Sequence, residues 1–180
     1  MEIFHQNIRG IEANLTSLQE FFCSFPKIDI LTLSETHVSN KSDNEYKNYE
    51  IEHYDFISKC RVNGKGGEVG IYIANKLNWI RRSDLELKGI ECIWIEMIIK
   101  KSSNILVSSI YRPPESSEYL SKNFNNLFSD MLMKLSIENK KSIILGEINA
   151  NYLDKKKNID LKNTLTINRF KQIIEKATRV

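Results

Sequence analysis

Four β-like runs end on residues able to do acid–base, metal or phosphate chemistry. Asn7 follows Ile3-Phe4-His5-Gln6. Glu35 follows Leu31-Thr32-Leu33-Ser34. Tyr111 follows Ser109-Ile110, and Glu147 and Asn149 follow Ile143-Ile144-Leu145-Gly146. Strand ends are where layered α/β proteins carry functional groups. Carboxylates at such a rim suit a hard divalent cation, and Mg²⁺ takes only one or two of them, leaving water and substrate phosphate to fill its shell. Each residue alone also has a plainer reading. An Asn after a strand is a turn former, Glu35 is a solvated loop residue, Tyr111 is a half-buried aromatic, and Asn149-Ala150-Asn151 makes a turn or helix cap. Their order and joint context shift the balance.

The elements that must hold these residues alternate in type. Ile3 to Asn7 reads as a short strand. Leu15, Leu18, Phe22 and Phe25 step along one helix face, and Pro26 stops it. Ile28 to Leu33 is a short apolar, β-branched run, the pattern of a buried strand. Residues 40–50 are polar and read as a surface loop. Tyr54 to Val62 and Val69 to Ala74 are predicted strands around Asn63-Gly64-Lys65-Gly66-Gly67. Cys92 to Ile99 and Ile105 to Ile110 form a predicted hairpin, ended by Pro113-Pro114. Leu120, Phe124, Leu127, Met131 and Leu135 predict a helix with Ser116 or Ser117 as N-cap. Ser142 to Leu145 is a buried strand, and Phe170, Ile173, Ile174 and Ala177 predict a last helix. The pattern is mixed α/β, with hairpins favouring packed sheets flanked by helices. Trp79 and Trp94 read as core or sheet-face residues.

Composition excludes several classes. The chain has 180 residues, room for one domain, with 41% hydrophobic and 27% charged residues. No apolar run approaches the ~18–20 residues that span a bilayer, and the N-terminus lacks a signal-peptide pattern. Nuclear or cytoplasmic localisation without membrane association is therefore expected. Cys23, Cys60 and Cys92 form neither a disulfide framework nor a zinc spacing. The net charge of +3 is uneven: residues 1–133 carry 15 basic and 18 acidic side chains, residues 134–180 carry 11 and 5. The basic quarter, with Lys155-Lys156-Lys157, and the Arg81-Arg82 pair are candidate phosphate-backbone contacts, or else a solvated surface. There is no dinucleotide or phosphate-loop glycine pattern.

Five stretches carry a resemblance: His5-Gln6-Asn7-Ile8-Arg9-Gly10, Ile30 to Thr36, Gly66-Gly67-Glu68-Val69-Gly70-Ile71-Tyr72-Ile73, Ser109-Ile110-Tyr111-Arg112-Pro113-Pro114, and Ile144 to Asn151. In this order the chain resembles the endonuclease/exonuclease/phosphatase superfamily, and within it the endonuclease domain of non-LTR (LINE-type) retrotransposons. The resemblance implies a DNase I-like four-layer sandwich of two mixed β-sheets flanked by helices, and Mg²⁺- (or Mn²⁺-) dependent phosphodiester hydrolysis. By that resemblance Glu35 matches the metal ligand and Asn7 the Asn beside the metal. Tyr111 matches the Tyr on the scissile phosphate or leaving group. Asn149 matches the Asn that binds phosphate, and Glu147 stands where an Asp activates water. Arg112 and Asn151, in the same motifs, are assigned to substrate binding. The implied partner is the DNA backbone, with a reverse transcriptase domain in the parent element. A phosphatase acting on a small phosphoester, and a non-catalytic remnant or binding module, are the alternatives.

Two departures stand out. Gly146-Glu147-Ile148-Asn149 replaces the family's Gly-Asp-Phe-Asn, so the carboxylate reaches one methylene further. Ala177-Thr178-Arg179-Val180 resembles a segment that precedes the family's last strands and Ser-Asp-His motif. The expectation is a domain over 1–180 that is incomplete at the C-terminus, lacks those strands, and is weakly active or inactive.

Overall fold

The computed structural model describes residues 1–38, 49–61, 67–154 and 156–176. The first sheet holds β1 (Ile3–Asn7), β2 (Ile30–Ser34), β3 (Tyr54–Lys59) and β4 (Val69–Ala74) in the order β1-β2-β4-β3. The second holds β5 (Trp79–Arg81), β6 (Glu91–Met97), β7 (Ile105–Tyr111) and β8 (Lys141–Glu147) in chain order. Both sheets are mixed. The β1–β2 and β7–β8 pairs are parallel and the rest antiparallel. Helix α1 (Ile11–Ser24) covers the first sheet, while α2 (Phe124–Glu138) and α3 (Ile159–Ile167) cover the second.

Strand alternation builds the layers. In β2, Leu31 and Leu33 face α1 with Tyr72, against Ile11, Leu18 and Phe22. Their neighbour Ile30 faces the other way, with Ile71 and Ile73, onto Ile93, Ile95, Met97 and Val107 of the second sheet. On the far side Cys92, Trp94, Leu106 and Ile110 meet Phe124, Phe128, Met131, Leu132 and Leu135 of α2 and Leu161 of α3. Burying a ring such as Phe22 or Phe128 is worth about 2–3 kcal/mol. β2 and β4 are buried along their whole length because both faces are covered, which explains their continuous apolar runs. The Ser109 hydroxyl donates to the Leu33 carbonyl at 2.7 Å, a direct tie between the sheets. The expected DNase I-like sandwich is the fold observed.

Some element boundaries differ from expectation. Helix α2 begins at Phe124, not near Ser116, because the intervening serines cap turns. Ser117 Oγ accepts from the Tyr119 N–H and Ser121 Oγ from the Asn123 N–H. The last helix lies over Ile159–Ile167; residues 170–176 of the expected helix carry none, and Ala177 lies outside the described residues. Asn168 caps it and Arg169 follows with a left-handed φ of 61°, after which Phe170 packs on the α2 core and Ile173 is left 74% exposed. With no surface to bury it, the Phe170–Ile174 periodicity forms no helix. Strand β5 was not foreseen. The 40–50 loop and the 63–67 turn fall almost wholly outside the described residues. Among the described residues no helix is long and apolar enough to cross a membrane.

Candidate functional site

Pairing direction brings the chemistry to one rim. β1, β2, β7 and β8 all end there, on Asn7, Ser34, Tyr111 and Glu147. Asn7 is registered with Ser34, and Tyr111 with Glu147. The antiparallel strands β4 and β6 begin at the same rim, since Val69 is paired with Ser34 and Glu91 with Tyr111. Glu68 and Glu91 therefore join the site from strand starts.

Local backbone geometry aims the side chains. Beyond the parallel pair, the chain continues to zip: Ile8 N–H donates to Ser34 O, Gly10 N–H to Glu35 O and Ile11 N–H to Thr36 O, at 3.0, 2.7 and 2.9 Å. Asn7 and Glu35 are thus held side by side. Arg9, Glu35, Glu68 and Asn149 all take positive φ, between 46° and 62°. Such left-handed non-glycine residues cost energy and gather at functional sites.

The side chains converge across the two sheets. Asn7 Nδ2 donates to Glu147 Oε2, and Asn7 Oδ1 accepts from the Arg9 N–H at 3.2 Å. The Tyr111 hydroxyl is hydrogen-bonded to Glu35. Burial first, then the charges of Glu35, Glu147 and Glu91, push its pKa up to about 12. Tyr111 therefore stays a neutral O–H donor throughout the physiological range.

Asn149 and Arg112 lock the loop after β8. Asn149 Nδ2 donates to Arg112 O at 3.0 Å, Arg112 N–H donates to Glu147 O at 2.8 Å, and the Arg112 guanidinium reaches Ile148 O at 3.3 Å. Arg112 is only 8% exposed and sits over the Phe124 ring. Its visible contacts position the Glu147–Asn149 turn. Asn151 is exposed, and its Oδ1 accepts from the Asp154 N–H at 3.2 Å in a side-chain turn.

Other sequence candidates are occupied elsewhere. His5 is hydrogen-bonded to Thr32 at 3.0 Å, and burial lowers its pKa to about 4, so it is a neutral packing residue. Arg82 bridges Asp84, Glu96 and Glu138, and Arg81 pairs with Glu86. Lys155 lies outside the described residues. Lys156 lines a cleft with Arg112 and Asn158.

The residues that sequence reading missed are Arg61, Glu68, Glu91 and Tyr119. Glu68 lies in a quoted motif but carried no assigned role. It is 4% exposed, and its Oε2 has no hydrogen-bond partner. Burial pushes its pKa to about 7, opposed by Arg61 and reinforced by Glu91. Because this exceeds the ordinary 4.5, the stability of the protonated form is complete below about pH 4.5 and is lost as pH rises through about 7. Glu68→Gln should therefore raise stability at pH 8 by on the order of 2 kcal/mol and leave it unchanged at pH 4. Urea unfolding at the two pH values checks this, and identical curves for both proteins at pH 8 would refute it.

No family model and no curated protein matches the chain. Solved structures do. The AP endonuclease LMAP from Leishmania major superposes with a TM-score of 0.71 at 15% identity, over 92% of this chain and 65% of that one. The endonuclease domain of TRAS1, a telomere-specific non-LTR retrotransposon, gives 0.64 at 15% identity, over 92% and 69%. The 3′ phosphatase NExo from Neisseria, bound to a product DNA hairpin, gives 0.59 at 15% identity, over 86% and 60%. The fold is thus the α/β sandwich that these nuclease and phosphatase structures share. At such identities the likeness is one of fold, and the chain spans 65% of the length of the Leishmania enzyme.

Proposed function

We propose that this chain is a metal-dependent phosphodiester hydrolase of the DNA-nicking, retrotransposon type. The observation that carries the reading is the meeting of Asn7, Glu35, Tyr111 and Glu147 at one rim, with Tyr111 held protonated among three carboxylates. The fold neighbours add support, since one is a retrotransposon endonuclease domain and another was solved with product DNA.

A hard divalent cation suits this donor set. Carboxylate and amide oxygens crowd the rim, and the charges of Glu35, Glu147 and Glu91 add to the burial that lifts Tyr111. Among the described residues no three His, Cys, Asp or Glu side chains cluster as a closed cage. Mg²⁺ or Mn²⁺ takes one or two carboxylates and completes its shell with water and phosphate. Glu35 and Asn7 would hold the ion. When bound, it supplies charge neutralisation at the phosphate and the departing oxygen.

The chain's own groups do the rest. Glu147 accepts a proton from the attacking water, with Asn7 Nδ2 fixing its Oε2. Tyr111 donates its hydroxyl hydrogen bond to a phosphate oxygen, having exchanged Glu35 for substrate. Asn149, tied to Arg112 O, orders the turn that aims Glu147. Arg112 contributes by holding that turn.

Nicking of supercoiled plasmid in Mg²⁺ tests the reading. Nicking should disappear in EDTA and weaken steeply with salt, as contacts to a polyanion do. A shallow salt dependence with turnover of a small phosphoester would assign a phosphatase. A folded sample that binds DNA without nicking it would assign a binding module. Glu147→Gln, which removes the base, should lower nicking about a hundredfold, while Glu147→Asp should retain part of it. Equal loss in both would mean that carboxylate reach, not charge, is limiting.

A further inference from the structure

A second feature adjoins Tyr111 and has no part in the chemistry above. Between β6, β7 and the loop that follows β7 lies a cleft of about 290 Å³, lined by Arg61, Ile90, Glu91, Tyr111, Tyr119 and Phe124 among others. Of its lining residues Tyr119 is 40% exposed.

The ring is held from behind. Arg61 Cζ lies 4.2 Å from the Tyr119 ring centroid, within cation–π range. The guanidinium is itself fixed, because Nε and Nη2 both donate to Glu91 Oε1 at 2.9 and 2.5 Å. Glu91 also accepts from the Glu68 N–H at 2.8 Å, which ties the group to β4. The turn carrying the ring is set by Ser117 Oγ. The exposed Tyr119 side chain is thus backed by a part-buried ion pair, and Tyr111 lines the same cleft.

We infer that this cleft binds a nucleobase, stacked on Tyr119, from single-stranded or unpaired DNA beside the phosphate at Tyr111. The inference rests on the hydrolase reading only for the position of that phosphate. Stacking suits this wall because the carboxylate of Glu91 is taken up by Arg61 and Glu68, leaving π and apolar faces to meet a ligand. A base paired in duplex has both faces covered by its neighbours, so an unpaired base is the form that fits. A small phosphoester without an aromatic ring would gain nothing from the platform.

The test separates base from backbone. Binding of the full chain to a short single-stranded oligonucleotide is measured by fluorescence anisotropy in EDTA, beside a strand of equal length built from abasic spacers. Tyr119→Leu should weaken binding of the base-containing strand about tenfold and change spacer binding less than about twofold, while Tyr119→Trp keeps wild-type affinity. Equal losses on both strands, no loss on either, or no binding by the wild type would overturn the inference. Base-dependent binding without plasmid nicking would refute the hydrolase reading and leave the stacking site standing.

Discussion

Glu35→Gln should lower Mg²⁺-dependent nicking at least about a hundredfold, the largest functional effect expected of any single rim substitution. The glutamine keeps the size and an acceptor oxygen, so the left-handed turn at Glu35 and the partner of the Tyr111 hydroxyl remain. What disappears is the charge that would hold the cation. A readout independent of activity follows from the same electrostatics. The Glu35 charge helps hold the Tyr111 pKa at about 12, so its removal should bring that titration down toward the ordinary 10.0. Spectrophotometric titration of the tyrosines, compared with a Tyr111→Phe control, reads this directly. Full nicking by the variant would remove Glu35 from the metal site, and an unmoved Tyr111 would place the two residues apart in solution.

Gly146→Ala should be the most damaging to the fold. Gly146 sits in β8 opposite Ile110, with φ at 146°. An added Cβ would lie 1.8 Å from the Ile110 carbonyl oxygen and 2.7 Å from its carbon. Backbone of a neighbouring strand cannot swing aside as a side chain can. The β7–β8 pair must part, or Gly146 must leave the strand, at a cost of on the order of 3 kcal/mol or more. Since Glu147 follows directly, activity should fall with stability. Urea unfolding measures the first and plasmid nicking the second. A midpoint close to wild type would show that β8 relaxes without separating.

Much of the scaffold is legible in local pattern. The largely apolar runs of β2 and β4 and the three-and-four spacing of α1 depend on residues a few positions apart, and each was readable because that local spacing marks the face to be buried. The C-terminal helix was misplaced for the same reason. Phe170, Ile173 and Ile174 have helical spacing, but periodicity states only that a buried face would exist if a surface were there to receive it. Leu161 finds such a surface against α2, whereas Ile173 does not.

The rim divides in the same way. Asn7, Glu35, Tyr111 and Glu147 stand at the C-terminal ends of strands, where sequence order and motif context already draw attention. Arg112 also lies in a motif, yet its buried guanidinium is spent on the carbonyl of Ile148, a contact 36 residues away that only folding creates. Glu68 lies in a motif without an assigned role, and Glu91, Arg61 and Tyr119 carry no such local sign. Glu68 precedes one strand and Glu91 begins another, and a strand's start reaches the working rim only if that strand runs antiparallel to the ones that end there. Element type follows from spacing along the chain. The gathering of these residues follows from pairing direction and register between segments far apart in sequence, which no short window contains.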